Sequence, residues 1–256
     1  MENKQDVKKQ FGRSAYSYVS SEIHSKGGDL KILVDMAYTT GEEEVLDVAT
    51  GGGHTANTFA PLVRQVTAMD LTPEMLIAAE KFIKGNGHEN VQFIEGDAEK
   101  MPLSDDSFDI VTCRIAPHHF PHIEDFISEV YRVLKPGGQF LLDDNVAPED
   151  DELDRFYNQI EKMRDYSHYR AWKKTEWINM LELNGFETQV YYRFEKQFQF
   201  ENWCDRMKLS DKEKSTLNEL ILTSSDKAKQ QFRIQIKNEK IESFYGEAIL
   251  LKAIKR

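Results

Sequence analysis

The spacing of hydrophobic residues in the first part of the chain alternates between the period of a strand and that of a helix. Five short apolar runs predict five strands, at residues 45–49, 66–70, 91–95, 108–113 and 139–143. The segments between these runs carry helical spacing or residues that favour turns. Alternating strands and helices with short connections predict an α/β fold built on a doubly wound, Rossmann-like parallel sheet.

Proline, glycine and capping residues set the limits of the predicted helices. Pro61 must shorten or kink the helix that follows the first strand. Thr72 is expected to cap the next helix, which begins at Pro73. A further helix is predicted over residues 122–135, where the Pro-Gly-Gly at 136–138 ends it before the fifth strand.

The second part of the chain is less regular. It predicts helices over 151–166, 175–184 and most of 200–230, a strand over 186–195, and a hairpin from 232–237 and 243–254. Helices inserted late in an α/β chain often form a lid over the strand ends, and we expect one here. The predicted division is an N-terminal helical segment (1–40), a core (41–148) and a C-terminal part (149–256) that completes the sheet and carries the lid.

Charge and cysteine content narrow the classes of function. The formal charge is −11, from 33 Lys and Arg against 44 Asp and Glu. This balance disfavours a nucleic-acid partner, because such binding depends on neutralising phosphates. Only two cysteines occur, 91 positions apart, which predicts a reduced, cytoplasmic protein. No apolar run is long enough to span a membrane, and we expect a monomer or a homodimer.

A glycine-rich turn, Thr50-Gly51-Gly52-Gly53, follows the first predicted strand. Such a turn lets backbone N–H groups face a bound nucleotide, although a tight strand-to-helix turn explains the glycines equally well. Carboxylates accompany it at the ends of three strands: Asp47, Asp70 and Asp97. Asp70 is placed to accept hydrogen bonds from ribose hydroxyls. Burial of the Asp47 carboxylate in a strand is costly unless something pairs with it, and a cationic group of a ligand would do so.

Four segments, taken in order, resemble the motifs of a known enzyme family: VLDVATGGG, the acid at Asp70, EGDAEKMPLSDDSFDIV and RVLKPGGQFLL. They are similar to the class I methyltransferases that use S-adenosylmethionine, and most similar to the ubiquinone and menaquinone C-methyltransferase-like group. The N-terminal QFGRSAYSYV resembles a segment of the same group. One departure is Ala49, which stands where the family's turn has its first glycine.

The resemblance implies a seven-stranded sheet with an antiparallel last strand, around a cofactor-binding core. It assigns the cofactor residues by position: Asp47 and the backbone of Ala49, Thr50, Gly51, Gly52 and Gly53 to the methionine portion, Asp70 to the ribose, Leu71 and Met75 to the adenine faces, Gly96, Asp97 and Ala98 to the adenine amino edge, and Cys113 and Arg114 to the carboxylate or the substrate.

Candidate catalytic residues lie in the loop after the fourth strand. His118 or His119 has the chemistry of a general base near neutral pH, and either can equally be a capping or packing residue. His118 and His122 have the spacing of a metal pair, but no third ligand is suggested, and we expect no metal. The Asp143-Asp144-Asn145 segment looks like part of a metal-dependent O-methyltransferase site, but the acid required after the fourth strand is missing.

Aromatic residues of the N-terminal segment and the expected lid are candidates for the acceptor pocket: Tyr18, Tyr166 and Trp172. The sequence thus predicts an S-adenosylmethionine-dependent methyltransferase that acts on a small, apolar or aromatic acceptor at carbon or oxygen. A nicotinamide-dependent oxidoreductase, an RNA methyltransferase and a nucleotide-binding module without catalysis remain as alternatives.

Overall fold

The computed structural model describes residues 2–12 and 28–256. The strands are β1 (Glu44–Val48), β2 (Gln65–Asp70), β3 (Val91–Glu95), β4 (Phe108–Arg114), β5 (Leu134–Val146), β6 (Phe186–Gln199), β7 (Gln235–Lys237) and β8 (Lys240–Lys255). The helices are α1 (Glu2–Gly12), α2 (Gly28–Met36), α3 (His54–Phe59), α4 (Pro73–Gly85), α5 (Ile123–Val133), α6 (Asp151–Arg164), α7 (Lys174–Leu183), α8 (Phe200–Asp205), α9 (Asp211–Leu222) and α10 (Asp226–Gln231). Single 3₁₀ turns lie at Ala60–Leu62 and Pro117–His119.

The strands form one sheet in the order β3-β2-β1-β4-β5-β8-β6, and the short β7 adds an eighth strand beside β8. The pairs from β3 to β5 are parallel, whereas β8 runs antiparallel to both of its neighbours, β5 and β6. The predicted doubly wound sheet with an antiparallel last strand is confirmed, and β7 is an addition to the expected seven strands.

Apolar side chains cover both faces of this sheet, as a mostly parallel sheet requires. One layer contains Phe126 and Val130 of α5 with Trp177 of α7. The opposite layer contains Leu33 of α2 and Phe59 of α3. Because both layers are apolar, the polar chemistry of the molecule is concentrated at the ends of the strands.

A further apolar cluster packs α6 and α8–α10 against the antiparallel strands β6 and β8. Its centre includes Tyr157, Trp203 and Phe244, all nearly fully buried. This cluster gives the C-terminal helices a core of their own beside the sheet. The division of the chain at residues 40 and 148 stays a prediction.

The boundary between α5 and β5 differs from the prediction. The strand begins at Leu134, directly after the helix, so the Pro-Gly-Gly at 136–138 lies within the strand rather than ending the helix. Leu134 pairs with Phe108 and Gln139 pairs with Ile110, which leaves extra residues of β5 unmatched. The glycines and proline therefore accommodate a register shift, a role that local turn propensity does not distinguish from a helix stop.

Candidate active site

A cavity lies at the carboxyl ends of β1, β2, β3 and β4, beneath α1. It encloses about 1050 Å³ including its open mouth. The predicted cofactor residues that line it are Asp47, Ala49, Thr50, Gly51, Gly52, Asp70, Leu71, Met75, Gly96, Asp97, Ala98 and Arg114.

The turn after β1 is wound by left-handed backbone conformations. Ala49, Gly51 and Gly53 have φ values of 53°, 53° and 83°. An alanine in this region costs about 1–2 kcal/mol, which glycine avoids. Ala49 therefore holds a strained backbone conformation that glycine adopts freely, and it still lines the cavity.

Gly53 does not line the cavity, contrary to the expectation. A Cβ placed on Gly53 would lie 2.9 Å from both Ala79 Cβ and Ile83 Cδ1 of α4. The glycine is thus needed where the start of α3 crosses α4. Packing of α3 against α4 therefore accounts for a glycine at this position, and its contact with the cofactor stays a prediction.

Asp47 is almost fully buried in β1 and is held by three hydrogen bonds from the protein. It accepts from Thr50 Oγ1 at 2.6 Å, from Thr112 Oγ1 at 2.8 Å and from the N–H of Ala56 at 3.1 Å. Burial nevertheless raises the pKa of Asp47 to about 6. Two hydroxyls and a backbone N–H of the protein are therefore the partners of this buried carboxyl group, and pairing with a cationic ligand group stays a prediction.

Asp70 joins the glycine turn to the start of α4. Its Oδ2 accepts from the N–H of Gly51 and its Oδ1 accepts from the N–H of Thr72, both at 2.9 Å. Each carboxylate oxygen can accept a further bond, so the ribose hydroxyls of a bound nucleoside fit here. Thr72 is the N-cap residue of α4, as predicted, but its side chain makes no capping hydrogen bond. Its own N–H is the one that donates to Asp70.

Asp97 lies at the rim of the cavity and binds α1. Lys4 Nζ of α1 lies 2.5 Å from Asp97 Oδ2 and 2.5 Å from Glu99 Oε2. Asp97 Oδ1 also accepts from the N–H of Glu99. Lys4, Val7 and Phe11 face the cavity, so α1 covers it, with Lys4 at the end that would hold the adenine.

The two residues predicted at the end of β4 have different surroundings. Arg114 lines the cavity and donates to Asp29 Oδ2 from Nη2 at 2.6 Å, while its Nε lies 3.3 Å from Asp143 Oδ2. Burial raises the pKa of Asp143 to about 7. Cys113 is fully buried in the apolar core, and the prediction that it reaches the cofactor or substrate was wrong. Neighbouring side chains of a strand point to opposite faces, which separates it from Arg114.

The histidines after β4 are brought together but have unequal access to the cavity. His119 lines it, whereas His118 does not. The two ring centroids are 4.2 Å apart, and Phe11 meets the His119 ring edge-on at 5.1 Å. His118 is clamped by Asp144, which accepts from its N–H at 2.9 Å and pairs with its Nδ1 at 2.6 Å.

The predicted acceptor residues are not placed at the cavity. Tyr18 lies outside the described residues. Tyr166 is 40% exposed, and Trp172 packs against the core beneath Arg170, whose guanidinium lies 4.5 Å from its ring centre. Trp172 is held away because its carbonyl pairs with the N–H of Ala147 beyond the end of β5.

Other residues that sequence reasoning missed do line the cavity, among them Lys4, His54, Phe120 and Pro121. The lid was expected in the C-terminal part of the chain, but none of the described residues there lines the cavity. The described residues that cover the cavity belong to α1 instead. Over the same part of the chain, His, Cys, Asp and Glu form no group of three suited to a metal ion. The described helices include none long and apolar enough to cross a membrane.

Comparisons with known proteins agree with this geometry. A family model described as a methyltransferase domain matches residues 46–142. An uncharacterized methyltransferase of Bacillus subtilis, YcgJ, is 39% identical over 248 residues, which are 96% of this chain and 98% of that protein. The structure of a putative methyltransferase from Bacillus halodurans is 54% identical with a TM-score of 0.88, covering 90% of this chain and 99% of its own.

A C-methyltransferase of ubiquinone and menaquinone biosynthesis from Brucella canis, UbiE, is 35% identical over 171 residues, which are 58% of this chain and 64% of that protein. The matched family model runs from β1 into β5 and so includes β1 to β4, the strands whose ends form the cavity. The oxidoreductase and RNA methyltransferase alternatives find no support in these relatives. The chain belongs to the S-adenosylmethionine-dependent methyltransferases, and S-adenosylmethionine is its cofactor.

Proposed function

We propose that this methyltransferase acts on a small, apolar or aromatic acceptor, at carbon or oxygen, with His119 as the general base. The supporting feature is the part of the cavity that the cofactor residues do not occupy. It is lined by Phe11, Ile115, Ala116, Phe120 and Pro121, with His119 among them. An apolar wall with one polar group is the lining that selects and orients a small apolar molecule.

The hydrogen bond of His119 carries the assignment of the base. His119 Nδ1 lies 3.1 Å from the carbonyl oxygen of Ser167, and a carbonyl can only accept. Nδ1 therefore carries the hydrogen and Nε2 carries the lone pair. Burial and the charge of His118 lower the pKa of His119 to about 4, so the ring is neutral at pH 7 and competent to accept a proton.

His118, the other candidate base, has a different role. Burial alone lowers the pKa of His118, but the Asp144 carboxylate more than offsets this and leaves the net pKa above its usual value. His118 Nδ1 is paired with Asp144 at 2.6 Å, and His118 does not line the cavity. The structure therefore supports His119 alone as the base.

The bound cofactor supplies a methyl group on a positively charged sulfur. The protein contributes alignment and the exclusion of water, and alignment alone can supply effective molarities of about 10⁵ M or more. His119 would hold the proton that leaves the acceptor. The name of the Brucella relative states that it methylates carbon, which supports carbon as one acceptor atom.

The test has two stages, because binding precedes turnover. Calorimetric titration with S-adenosylmethionine and S-adenosylhomocysteine establishes the cofactor site. Release of S-adenosylhomocysteine is then measured with phenols, hydroquinones and activated methylene compounds, each compared with its carboxylate-bearing analogue. Turnover confined to the carboxylate-bearing series would contradict the apolar acceptor.

His119→Ala and His88→Ala form the matched pair for the base. His88 follows α4 and lies outside the cavity, so its removal leaves turnover unchanged. Loss of a general base lowers kcat by roughly 10²–10⁴-fold, and the affinity for the cofactor should hold. Equal turnover in the two variants would exclude His119 as the base.

A further inference from the structure

The loop that follows α6 reaches the histidine of the cavity from behind. Ser167 is fully buried, and its carbonyl oxygen accepts from His119 Nδ1. Its hydroxyl oxygen lies 3.4 Å from the same nitrogen. Two atoms of one residue therefore face the ring nitrogen that His119 does not use as a base. This contact joins residues 48 positions apart, and no sequence motif in the loop predicted it.

Asp165 stands directly behind Ser167. Its Oδ1 accepts from the Ser167 hydroxyl at 2.5 Å and from the Ser167 N–H at 2.9 Å. Only 2% of Asp165 is exposed. The hydroxyl of Ser167 thus stands between the imidazole of His119 and a buried carboxylate.

The other charged groups around His119 oppose its protonation or are paired. The ring of His118, whose centre lies 4.2 Å from that of His119, is paired with Asp144. Glu161 of α6 is paired with Arg164. His168, 5.5 Å from His118 between ring centres, shares its Nε2 with Asn158 Oδ1. Asp165 is the carboxylate linked to His119 through a chain of bonds.

The charge on Asp165 follows from its surroundings. Burial raises the pKa of Asp165, but the hydrogen bonds from the Ser167 hydroxyl and N–H and the nearby Arg164 guanidinium lower it, and the net pKa lies below its usual value. The carboxylate is therefore ionised at neutral pH. A buried negative charge on this side of the ring favours an imidazolium on the cavity side.

We propose that Ser167 and Asp165 are positioning residues for His119: Ser167 fixes the tautomer with hydrogen on Nδ1, and the Asp165 carboxylate stabilises the imidazolium that forms when Nε2 takes a proton. The inference rests on the proposed function for the origin of that proton. The acceptor's X–H electron pair forms the bond to the methyl carbon, and the carbon–sulfur pair returns to sulfur. The proton moves to Nε2, while the hydrogen on Nδ1 stays on that nitrogen and remains hydrogen-bonded to the Ser167 carbonyl oxygen.

An isosteric substitution distinguishes an electrostatic role of Asp165 from a purely structural one. Asp165→Asn retains a side-chain oxygen that accepts from Ser167 but removes the negative charge. Ser167→Ala keeps the carbonyl and removes the hydroxyl between the ring and Asp165. Asp151→Asn is the matched control, since Asp151 lies at the start of α6, is mostly exposed and pairs with Lys173.

The measurement is ¹⁵N NMR of the full chain with labelled histidine, with His119 assigned from the signal missing in His119→Gln. We expect the Nδ1–H tautomer at pH 7.5 in the unchanged protein. At pH 5, Asp165→Asn should reduce the imidazolium fraction of His119 about tenfold, which corresponds to a pKa lower by about one unit. Ser167→Ala should shift it in the same direction, and Asp151→Asn should leave it unchanged.

An Nε2–H tautomer, or an imidazolium fraction that neither loop variant changes, would overturn the inference. If Asp165→Asn does not fold, the Ser167→Ala spectrum decides alone. Since the spectra need no acceptor, they test the inference separately from the proposed function. When an acceptor is in hand, the acidic limb of the kcat/KM profile should move to lower pH in Asp165→Asn. A drop in rate with an unmoved limb would indicate a structural role only.

Discussion

Replacing Gly53 by alanine tests whether this glycine serves helix packing or cofactor binding. The new Cβ would lie 2.9 Å from Ala79 Cβ, 2.9 Å from Ile83 Cδ1 and 3.3 Å from Ala79 Cα. Real Cβ atoms do not approach carbon this closely, so α3 and α4 must separate. The backbone of Gly53 also has a φ of 83°, which alanine rarely adopts.

Two effects of this substitution lower the free energy of unfolding, and one effect raises it. The left-handed backbone costs about 1–2 kcal/mol and overpacking costs about 1–3 kcal/mol. About 0.4–1 kcal/mol returns, because alanine has less freedom than glycine in the unfolded chain. The net decrease in the free energy of unfolding is about 1.5–4 kcal/mol, which lowers Tm by roughly 10 °C in a chain of this size.

Gly51→Ala is the matched change within the same turn. Gly51 has a φ of 53°, but its Cβ would meet only Ala49 O, at 3.9 Å, and Gly51 lines the cavity. We expect a net loss of at most about 1 kcal/mol and a weaker affinity for S-adenosylmethionine. Thermal unfolding and calorimetric titration of both variants should therefore rank them in opposite orders. An unchanged Tm in Gly53→Ala with loss of cofactor affinity would refute the assignment of Gly53 to packing.

Three further predictions concern charged groups. Asp47 and Asp143 have pKa values raised by burial to about 6 and about 7, so the folded state binds their protons more readily and stability falls as pH rises from 4 to 7. Each of the two groups lowers the free energy of unfolding by at most about 3–4 kcal/mol over this pH range. In Asp143→Asn the denaturation midpoint should therefore fall less steeply with pH than in the unchanged protein. An equally steep fall in both proteins would contradict the prediction. Lys4→Met removes the ion pairs of α1 with Asp97 and Glu99, so stopped-flow should show faster cofactor dissociation with a stability change below about 1 kcal/mol. Asp70→Ala removes the acceptor for ribose hydroxyls and should weaken cofactor binding by roughly tenfold or more in calorimetry, and equal affinity would show that Asp70 does not face the ribose.

The order of strands and helices followed from the sequence, because each strand carries its own apolar run between turn residues. The start of β5 was misplaced since Pro-Gly-Gly favours both a helix stop and a strand irregularity, and only the pairing with β4 decides between them. Thr72 stands at the N-cap of α4 as predicted, but its side chain makes no capping hydrogen bond. The hydrogen bond from the N–H of Thr72 to Asp70 depends on how β2 meets α4, which local sequence does not show.

The cofactor side of the cavity was largely predictable, because its residues lie in the turns that directly follow consecutive strands. Cys113 was a predictable error, since side-chain alternation in β4 separates it from Arg114. The acceptor side was not predictable. Ser167 reaches His119 from a loop without a motif, and α1 covers the cavity through Lys4, whose partners lie about 90 residues further along the chain.

The position of β8 has a consequence for how the protein is made. β8 follows every other strand in the sequence yet lies between β5 and β6. During synthesis, the second edge of β5 is left open for about 110 further residues, or roughly 5–20 s on the ribosome. That edge belongs to a strand carrying Phe140, Leu141 and Leu142, and an open apolar strand can pair with another nascent chain. Substitutions that slow the docking of β8 should therefore reduce the yield of soluble protein while the molecules that do fold keep a normal cofactor site.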